Sequence, residues 1–575
     1  MTRGGKTGLV IVSVLVVGLL GIGLVARQAR QPESGSVLEV VLDGPLEDVV
    51  RESPVAEIFS GKRLSTRDYV EAILRAKDDK RINGLLLTLK APSAGYGKVQ
   101  ELREAIKEFR TSGKWTAAWT ETAGEFGPGT GLYYLSTACE TIWIAPPGDV
   151  NLTGLRFEVP FIRSALDKIK VFPDYDQRGK YKNAMNFFTH TKMTDAHKEA
   201  MEALLDSLYR QLRQGIAEAR GMTDDEVGAL IDRGPFIGPK ALEAKLVDRL
   251  GYRDELNEWL KEKNGGHLPI LKVRKYLKSG RHWDHGTTIA IIYGVGAVGR
   301  GEDASDPFSG QQRMGSDTVA QAIRDAREDD AVKAIILRVD SPGGSYVASD
   351  VIWREVKLTK GVKPIVVSMS DVAASGGYFV SMAADKIVAE PGTITASIGV
   401  LSGKFVTKDA WDCLGITSDS VQRGRNATFY SGEKKFTDDE RVRFEEWLDR
   451  IYKDFVGKVA EGRGKSFEEI NAIAQGRVWT GEDALKLGLV DELGGLATAV
   501  HRATELAEIP SGTPIDLVQF PASKSLFEEF MSRDDDTGST SVAAVQERWR
   551  AFIDDGKLPI PERGVLELPY VPRFR

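Results

Sequence analysis

Halfway along, this sequence begins to repeat itself, so whatever fold the first half adopts the second must adopt too. Gln177-Arg178-Gly179-Lys180-Tyr181-Lys182 reappears as Gln422-Arg423-Gly424-Arg425-Asn426-Ala427, roughly 245 residues further on. At nearly the same spacing, Ala241-Leu242 and Leu246-Val247-Asp248-Arg249-Leu250-Gly251 match Ala484-Leu485 and Leu489-Val490-Asp491-Glu492-Leu493-Gly494. Tyr134 and Pro147-Gly148 match Tyr378 and Pro391-Gly392. Three matches at nearly one offset indicate a tandem duplication. The copies differ where chemistry is at stake. Ser375, in Ala373-Ala374-Ser375-Gly376-Gly377-Tyr378, falls opposite Gly131, and Lys182 falls opposite Ala427. One copy keeps a serine and the other a lysine.

With 575 residues, the duplication leaves roughly 240 per copy, enough for a full core in each. A net charge of −6 and the lack of a basic stripe argue against nucleic acid as a partner. Cys139 and Cys413 are the only cysteines and occupy unrelated places in the copies, so no disulfide framework or zinc site is expected. Residues 8–25 are uncharged and mostly aliphatic, with Arg3 and Lys6 before them and Arg27 and Arg30 after. As a helix the run would span about 27 Å, close to the hydrocarbon core of a bilayer. Its length and the poor cleavage site at Ala26-Arg27-Gln28-Ala29 favour an uncleaved anchor over a signal peptide. The expected organisation is an anchor at 1–30, a first copy at 31–285, a second at 286–520 and a tail at 521–575 containing proline and arginine.

Each copy opens with a strand, Val37 to Leu42 and Thr288 to Tyr293. Two short aliphatic runs bounded by helices follow: Gly84 to Leu89 and Trp115 to Trp119, then Ala334 to Val339 and Pro364 to Met369. That pattern predicts an α/β fold with a mainly parallel sheet covered on both faces. Long amphipathic helices are expected near 195–219 and 438–461, and a joint between the copies near 265–283.

Ser375 follows a buried strand amid small residues, where a sharp turn can present a hydroxyl and let a peptide backbone approach. The amide of Gly376 can face a developing oxyanion, and Asp340-Ser341-Pro342-Gly343-Gly344, after the neighbouring strand, can supply a second amide from Gly343 or Gly344. The first copy has Ala91-Pro92-Ser93-Ala94 there, without the glycines. Taken singly, each motif also fits plain packing or turn geometry. A serine needs a base. None of the six histidines stands in a triad-like context, and His282-Trp283-Asp284-His285 is a weak metal motif. A lysine can serve if burial disfavours its charged form, and Lys182 has Ala184, Met185, Phe187 and Phe188 close by in sequence. Moving a lysine from about 10.4 toward 7–8 costs roughly 4 kcal/mol, so such a site must be dry.

These motifs, with Thr395-Ala396-Ser397-Ile398-Gly399, Gly179-Lys180-Tyr181-Lys182-Asn183-Ala184 and Gly476-Arg477-Val478-Trp479-Thr480-Gly481, resemble the long, two-repeat form of the signal peptide peptidase A family, peptidase family S49. The resemblance implies a tandem duplication of a ClpP/crotonase-like domain behind an N-terminal transmembrane helix. It implies a serine endopeptidase with a Ser/Lys dyad: Ser375 as nucleophile, Lys182 as general base, and Ser397 orienting the lysine. Gly376 with Gly343 or Gly344 would form the oxyanion hole, with no cofactor and no metal. It further implies remnant signal peptides as substrates, a homotetramer, and a single-pass protein of the bacterial inner membrane with its globular part periplasmic. Asn183 and Ala396 depart from the residues usual in the family, and the chain beyond about Phe520 falls outside the resemblance. Two other readings compete: a non-catalytic membrane scaffold of the same fold, and a crotonase-like acyl-CoA enzyme using the same glycine turns.

Overall fold

A computed structural model of the chain describes residues 32–50, 63–279, 286–305, 312–521 and 566–567. The apolar run at 8–25 and His282 and His285 lie outside these residues. Among the described residues no helix is long and apolar enough to cross a membrane, and no cluster of side chains could hold a metal ion.

The duplication is plain in the strand order. The first sheet runs Arg249–Leu250, Thr141–Ile144, Trp115–Thr120, Ile82–Ser93, Ser36–Pro45, Ile270–Lys272, with every pair parallel. The second runs Glu492–Leu493, Lys386–Ala389, Ile365–Ala374, Val332–Ser341, Thr287–Val295, Ile515–Phe520, again all parallel. The central strands are aliphatic because both faces are covered. Ile335 and Leu337 pack with the helices Ser316–Glu328, Tyr346–Thr359 and Asp438–Arg463, while Ile336 packs with Leu496–Leu506 on the other side.

Matching side chains tie the copies together internally. The long helices Asp195–Arg220 and Asp438–Arg463 start at Thr194 and Thr437, whose side chains accept from the amides of His197 and Glu440. Their last arginines, Arg220 and Arg463, pair with Asp248 and Asp491, and those carboxylates accept from the amides of Ile142 and Ile387. Tyr133 and Tyr378 donate to the carbonyls of Leu246 and Leu489, each at 2.9 Å. The counterpart of Tyr378 is therefore Tyr133, where the sequence offset pointed to Tyr134. The position opposite Ser375 shifts as well. Gly129 precedes the short helix Thr130–Ser136 as Ser375 precedes Gly376–Ser381. The Gly129 amide donates to Asn151 O at 3.2 Å, as that of Ser375 does to Ala396 O at 2.7 Å. Counted back from the two tyrosines, Thr130 and not Gly131 stands opposite Ser375, with its hydroxyl donated to Gly154 O at 3.1 Å, while the matching backbone bond is made one residue earlier by Gly129.

The expected joint at 265–283 is in part regular structure. Ile270–Lys272 is an edge strand of the first sheet and Val273–Ser279 a helix. Three residues alternating exposed, buried, exposed carry too little periodicity to be read from sequence. Cys139 is a buried core residue and Cys413 is exposed, both as free thiols.

The second copy carries additions at the end of its sheet. The strand Ile394–Ala396 pairs with the far half of Ile365–Ala374 and is flanked by Val478–Thr480, antiparallel. The strand Phe172–Arg178 leaves the first copy altogether and pairs antiparallel with Val400–Val406 of the second. At the glycine turn, Gly343–Gly344 pairs antiparallel with Leu566–Glu567 from the far end of the chain.

Candidate active site

Ser375 closes the strand Ile365–Ala374 and caps the helix Gly376–Ser381. Its backbone stands at φ 54°, ψ −112°, a conformation that costs a non-glycine residue about 1–3 kcal/mol and persists only where neighbours impose it. The neighbours here are the Ala396 carbonyl, which takes the Ser375 amide, and the helix that begins at once. Space is tight as well: a Cβ on Gly377 would lie 2.6 Å from the Ser341 carbonyl, so no larger residue fits that start.

Lys182 reaches this point because the crossing strand Phe172–Arg178 delivers it. The Tyr181 amide donates to Gln475 O at 2.9 Å, fixing the loop after that strand against the second copy. Gly476 stands at φ 79°, and a Cβ there would lie 2.5 Å from the Lys182 nitrogen. The Gly476-Arg477-Val478-Trp479 motif therefore serves to let the lysine's backbone in. Lys182 Nζ lies 2.6 Å from Ser375 Oγ, 3.0 Å from Ser397 Oγ and 2.9 Å from the Ser397 carbonyl. Ser397 is held in turn by its amide, which donates to Arg477 O at 2.9 Å. The dryness that a lysine base demands is met: Ser375 is 0%, Lys182 1% and Ser397 1% exposed. Phe188, close by in sequence, packs against Tyr175 and Phe405.

The two candidate oxyanion turns meet beside Ser375. A Cβ on Gly376 would lie 3.0 Å from the Gly344 nitrogen. Gly376 is the first residue of its helix, so its amide has no partner within that helix. The Gly343 amide donates to Ser341 Oγ at 3.2 Å, and that hydroxyl donates onward to Gly296 O at 2.6 Å. Gly343 thus braces the turn, and Gly344 presents the amide nearer to Gly376. Ser341 was not singled out in the sequence, although it sits inside a quoted motif. His190 is exposed and bonded to Thr189, leaving it no place at the serine.

Behind the site, at the contact between the copies, lies a buried charged cluster that the sequence did not reveal. Arg338 donates to Asp48, Glu101, Ser368 and Ser370. Lys98 pairs with Asp48, Asp340 and Asp371. Burial pushes the Asp48 carboxyl up, but Arg338 and Lys98 outweigh it and hold it at about 2. Burial drives the Glu390 carboxyl well above the usual range, with Glu101 and Glu104 adding to the rise.

The family model "Peptidase family S49" matches residues 109–266 and 357–510, once in each copy. A serine protease SPPA, chloroplastic, from Arabidopsis thaliana is 34% identical over 547 residues, 92% of this chain and 77% of that protein. Protease 4 of Salmonella typhi is 36% identical over 459 residues, 77% and 72% of the two chains. Protease 4 of Haemophilus influenzae is 30% identical over 531 residues, 87% and 84%.

Proposed function

The chain belongs to peptidase family S49 and is a serine peptidase, and from that premise we propose that Ser375 and Lys182 are its catalytic dyad. The observation that carries the proposal is the 2.6 Å approach of two buried groups that start 193 residues apart, one from each copy. Lys182, as the neutral amine, takes the Ser375 proton while Oγ attacks the scissile carbonyl. It then gives that proton to the leaving amine, and water repeats the cycle on the acyl-enzyme. Ser397 holds the amine through its hydroxyl and carbonyl. The amides of Gly376 and Gly344 receive the oxyanion, with Gly343 shaping the turn.

Substrates on this reading are extended, apolar peptides, remnant signal peptides among them. The pairing of Gly343–Gly344 with an extended segment supports it, since a peptide laid along the same edge would bring a carbonyl to the glycine amides. The repeated strand order supports reading each copy as a ClpP/crotonase-like domain. Membrane anchoring through 8–25, with the globular part on the outer face of a bacterial inner membrane, rests on the aliphatic run and the family resemblance. Assembly into a homotetramer accords with the exposed Leu414, Ile416, Val421 and Tyr430, apolar surface beside the crossing strand.

The test is hydrolysis of a fluorogenic apolar peptide by the full chain, compared with Ser375→Ala and Lys182→Ala. Loss in both is the expected result. Turnover that survives Lys182→Ala would remove the lysine from the mechanism, and intact function in both variants would return the scaffold reading.

A further inference from the structure

The strand that carries Ser375 does not run straight. Against Val332–Ser341 it pairs Val339 with Met369, but the next pair is Ser341 with Ala373. Two residues advance on one strand while four advance on the other, so Ser370, Asp371 and Val372 form a bulge just before the serine. In the first copy the equivalent strands pair in register from Gly84 opposite Trp115 to Leu89 opposite Thr120 and stop there, at the level of Val339 and Met369, so the bulged extension belongs to the second copy. A bulge bends and twists its strand, and here it re-aims the last residues toward the site.

Groups from the first copy hold this bulge. The Asp371 carboxylate accepts from the amides of Gly95 at 3.0 Å and Lys98 at 2.8 Å. It thereby caps the helix Tyr96–Arg110, whose own cap residue, Gly95, has no side chain to do so. A Cβ on Gly97 would lie 2.6 Å from the Ser370 carbonyl, so the helix start is seated directly on the bulge. On the neighbouring strand, Asp340 Oδ1 accepts from the Val372 amide at 3.2 Å. Lys98 Nζ sits between the two carboxylates, 2.5 Å from Asp340 and 3.1 Å from Asp371, and 3.3 Å from Asp48. Asp48 in turn accepts from Ser370 Oγ at 2.7 Å. Lys98 is 4% exposed.

We propose that Lys98 is a positioning residue for the reaction: one ammonium, supplied by the first copy, sets the spacing between the nucleophile and the oxyanion turn in the second. Asp371 stands four residues before Ser375, and Asp340 three before Gly343. Clamping those carboxylates together fixes both strand ends at once. Without the ammonium, the carboxylates repel and the bulge relaxes, carrying Ser375 Oγ away from Lys182 and from the Gly344 amide. Lys98 touches no reacting atom, so its effect falls on the acylation step and not on substrate affinity.

The inference rests on Ser375 being the nucleophile, and the experiment separates the two claims. Full-length protein is assayed for peptide hydrolysis, for the rate of Ser375 labelling by a fluorophosphonate, and for thermal melting. Failure of the unaltered chain to label at Ser375 would sink the nucleophile reading, and the positioning claim with it. If the unaltered chain labels, Lys98→Met is expected to lower kcat and the labelling rate about 100-fold with KM changed less than about threefold, as a displacement near 1 Å would. Lys98→Arg, which keeps the charge, should recover most of that loss. Should Lys98→Met fail to fold, Asp371→Asn supplies the reading, because its amide oxygen still caps the helix while the ion pair is lost. A drop of about tenfold in kcat and labelling at constant KM supports the proposal. Glu101→Gln is the comparison: it disturbs the same buried cluster through Arg338, away from the strand ends, and should lower the melting temperature while leaving kcat unchanged. Equal loss of kcat per degree of melting lost in the Glu101 and Lys98 (or Asp371) variants would overturn the proposal, as would an unaltered labelling rate in a folded Lys98→Met or Asp371→Asn.

Discussion

The two copies share a sheet of the same strand order, long helices capped by a threonine at one end and a glycine at the other, and twin Tyr–carbonyl and Arg–Asp ties. Among the described residues a clear difference lies at the end of the sheet after the third central strand. There the first copy carries only a short antiparallel pair, Asp149–Val150 with Phe236–Ile237, joined to the chain after its strand by a bridge from Ala123 to Val150 and by the Ala123 amide, which donates to Asp149 O at 2.8 Å. The second copy bulges, lengthens the equivalent pair to Ile394–Ala396 with Val478–Thr480, and holds a serine in a strained turn. What stays alike is what builds a core; what differs is the few residues at one sheet end. A duplicated domain can therefore specialise without altering its hydrophobic plan. The first copy seats its helix Tyr96–Arg110 on the bulge of its twin, and its crossing strand leads the lysine loop to the twin's serine.

The largest effect that can test this division of labour belongs to the dyad. Ser375→Ala or Lys182→Ala should each lower kcat by about four decades or more, and the double variant little further, because the two act as a unit. Active-site titration of purified variants checks this; additive losses would deny the partnership between copies. Placing a lysine in the second copy by Ala427→Lys should not restore Lys182→Ala, since Ala427 lies in an exposed stretch with no crossing strand.

Next comes the glycine that admits the lysine. Gly476→Ala puts a Cβ against the Lys182 backbone at a positive φ, and should cost about 100-fold in kcat together with about 1–2 kcal/mol of stability. Peptide kinetics and denaturant melts measure the two parts separately. Gly221→Ala, at a helix end of the first copy with open space around it, should cost stability alone, about 1 kcal/mol.

The first copy should also be the more acid-sensitive where it meets the lysine loop. Burial, helped by the nearby His190, holds the His197 imidazole down at about 4. Unfolded histidine binds a proton near 6.5, so the unfolded chain takes up protons first as pH falls. Stability is then full above about 6.5 and is lost progressively down to about 4, by an amount of order 2 kcal/mol. Melts across that window should show His197→Gln with a shallower decline than the unaltered chain; parallel curves would refute the assignment.

The smallest effect is the sharpest comparison. Tyr133→Phe and Tyr378→Phe each strand one buried carbonyl and should lose about 1–2 kcal/mol alike. Only Tyr378→Phe should also slow catalysis, by a few-fold, because Tyr378 sits on the helix that Ser375 caps. Unequal stability losses would mean that the copies are less alike than their strand order shows.

Much of this was legible beforehand. The buried strands announced themselves as aliphatic runs, and the long helices as amphipathic stretches. Ser375 and Lys182 stood out because each survived in only one copy, a signal that a single domain would not have offered. Gly344 was suggested by its turn and Ser397 by motif resemblance; Ser397 Oγ lies 3.0 Å from Lys182 Nζ, and a Cβ on Gly376 would lie 3.0 Å from the Gly344 nitrogen. Three features stayed hidden. The slip between Tyr134 and Tyr133, and with it Gly131 and Thr130, arises because the matched segments are separated by loops of unequal length. The Lys98–Asp340–Asp371 clamp joins residues more than 240 positions apart, with no local pattern to mark them. The strand Ile270–Lys272 is too short for periodicity to show.

The crossing strand Phe172–Arg178 has a consequence for how such an enzyme is made. A chain emerging from the ribosome exposes its amine first and its hydroxyl nearly two hundred residues later, and the surface that receives the strand, Val400–Val406, comes later still. Neither half carries both groups of the proposed dyad. On the proposed dyad, the order of translation itself keeps the two groups apart until the receiving strand has been made.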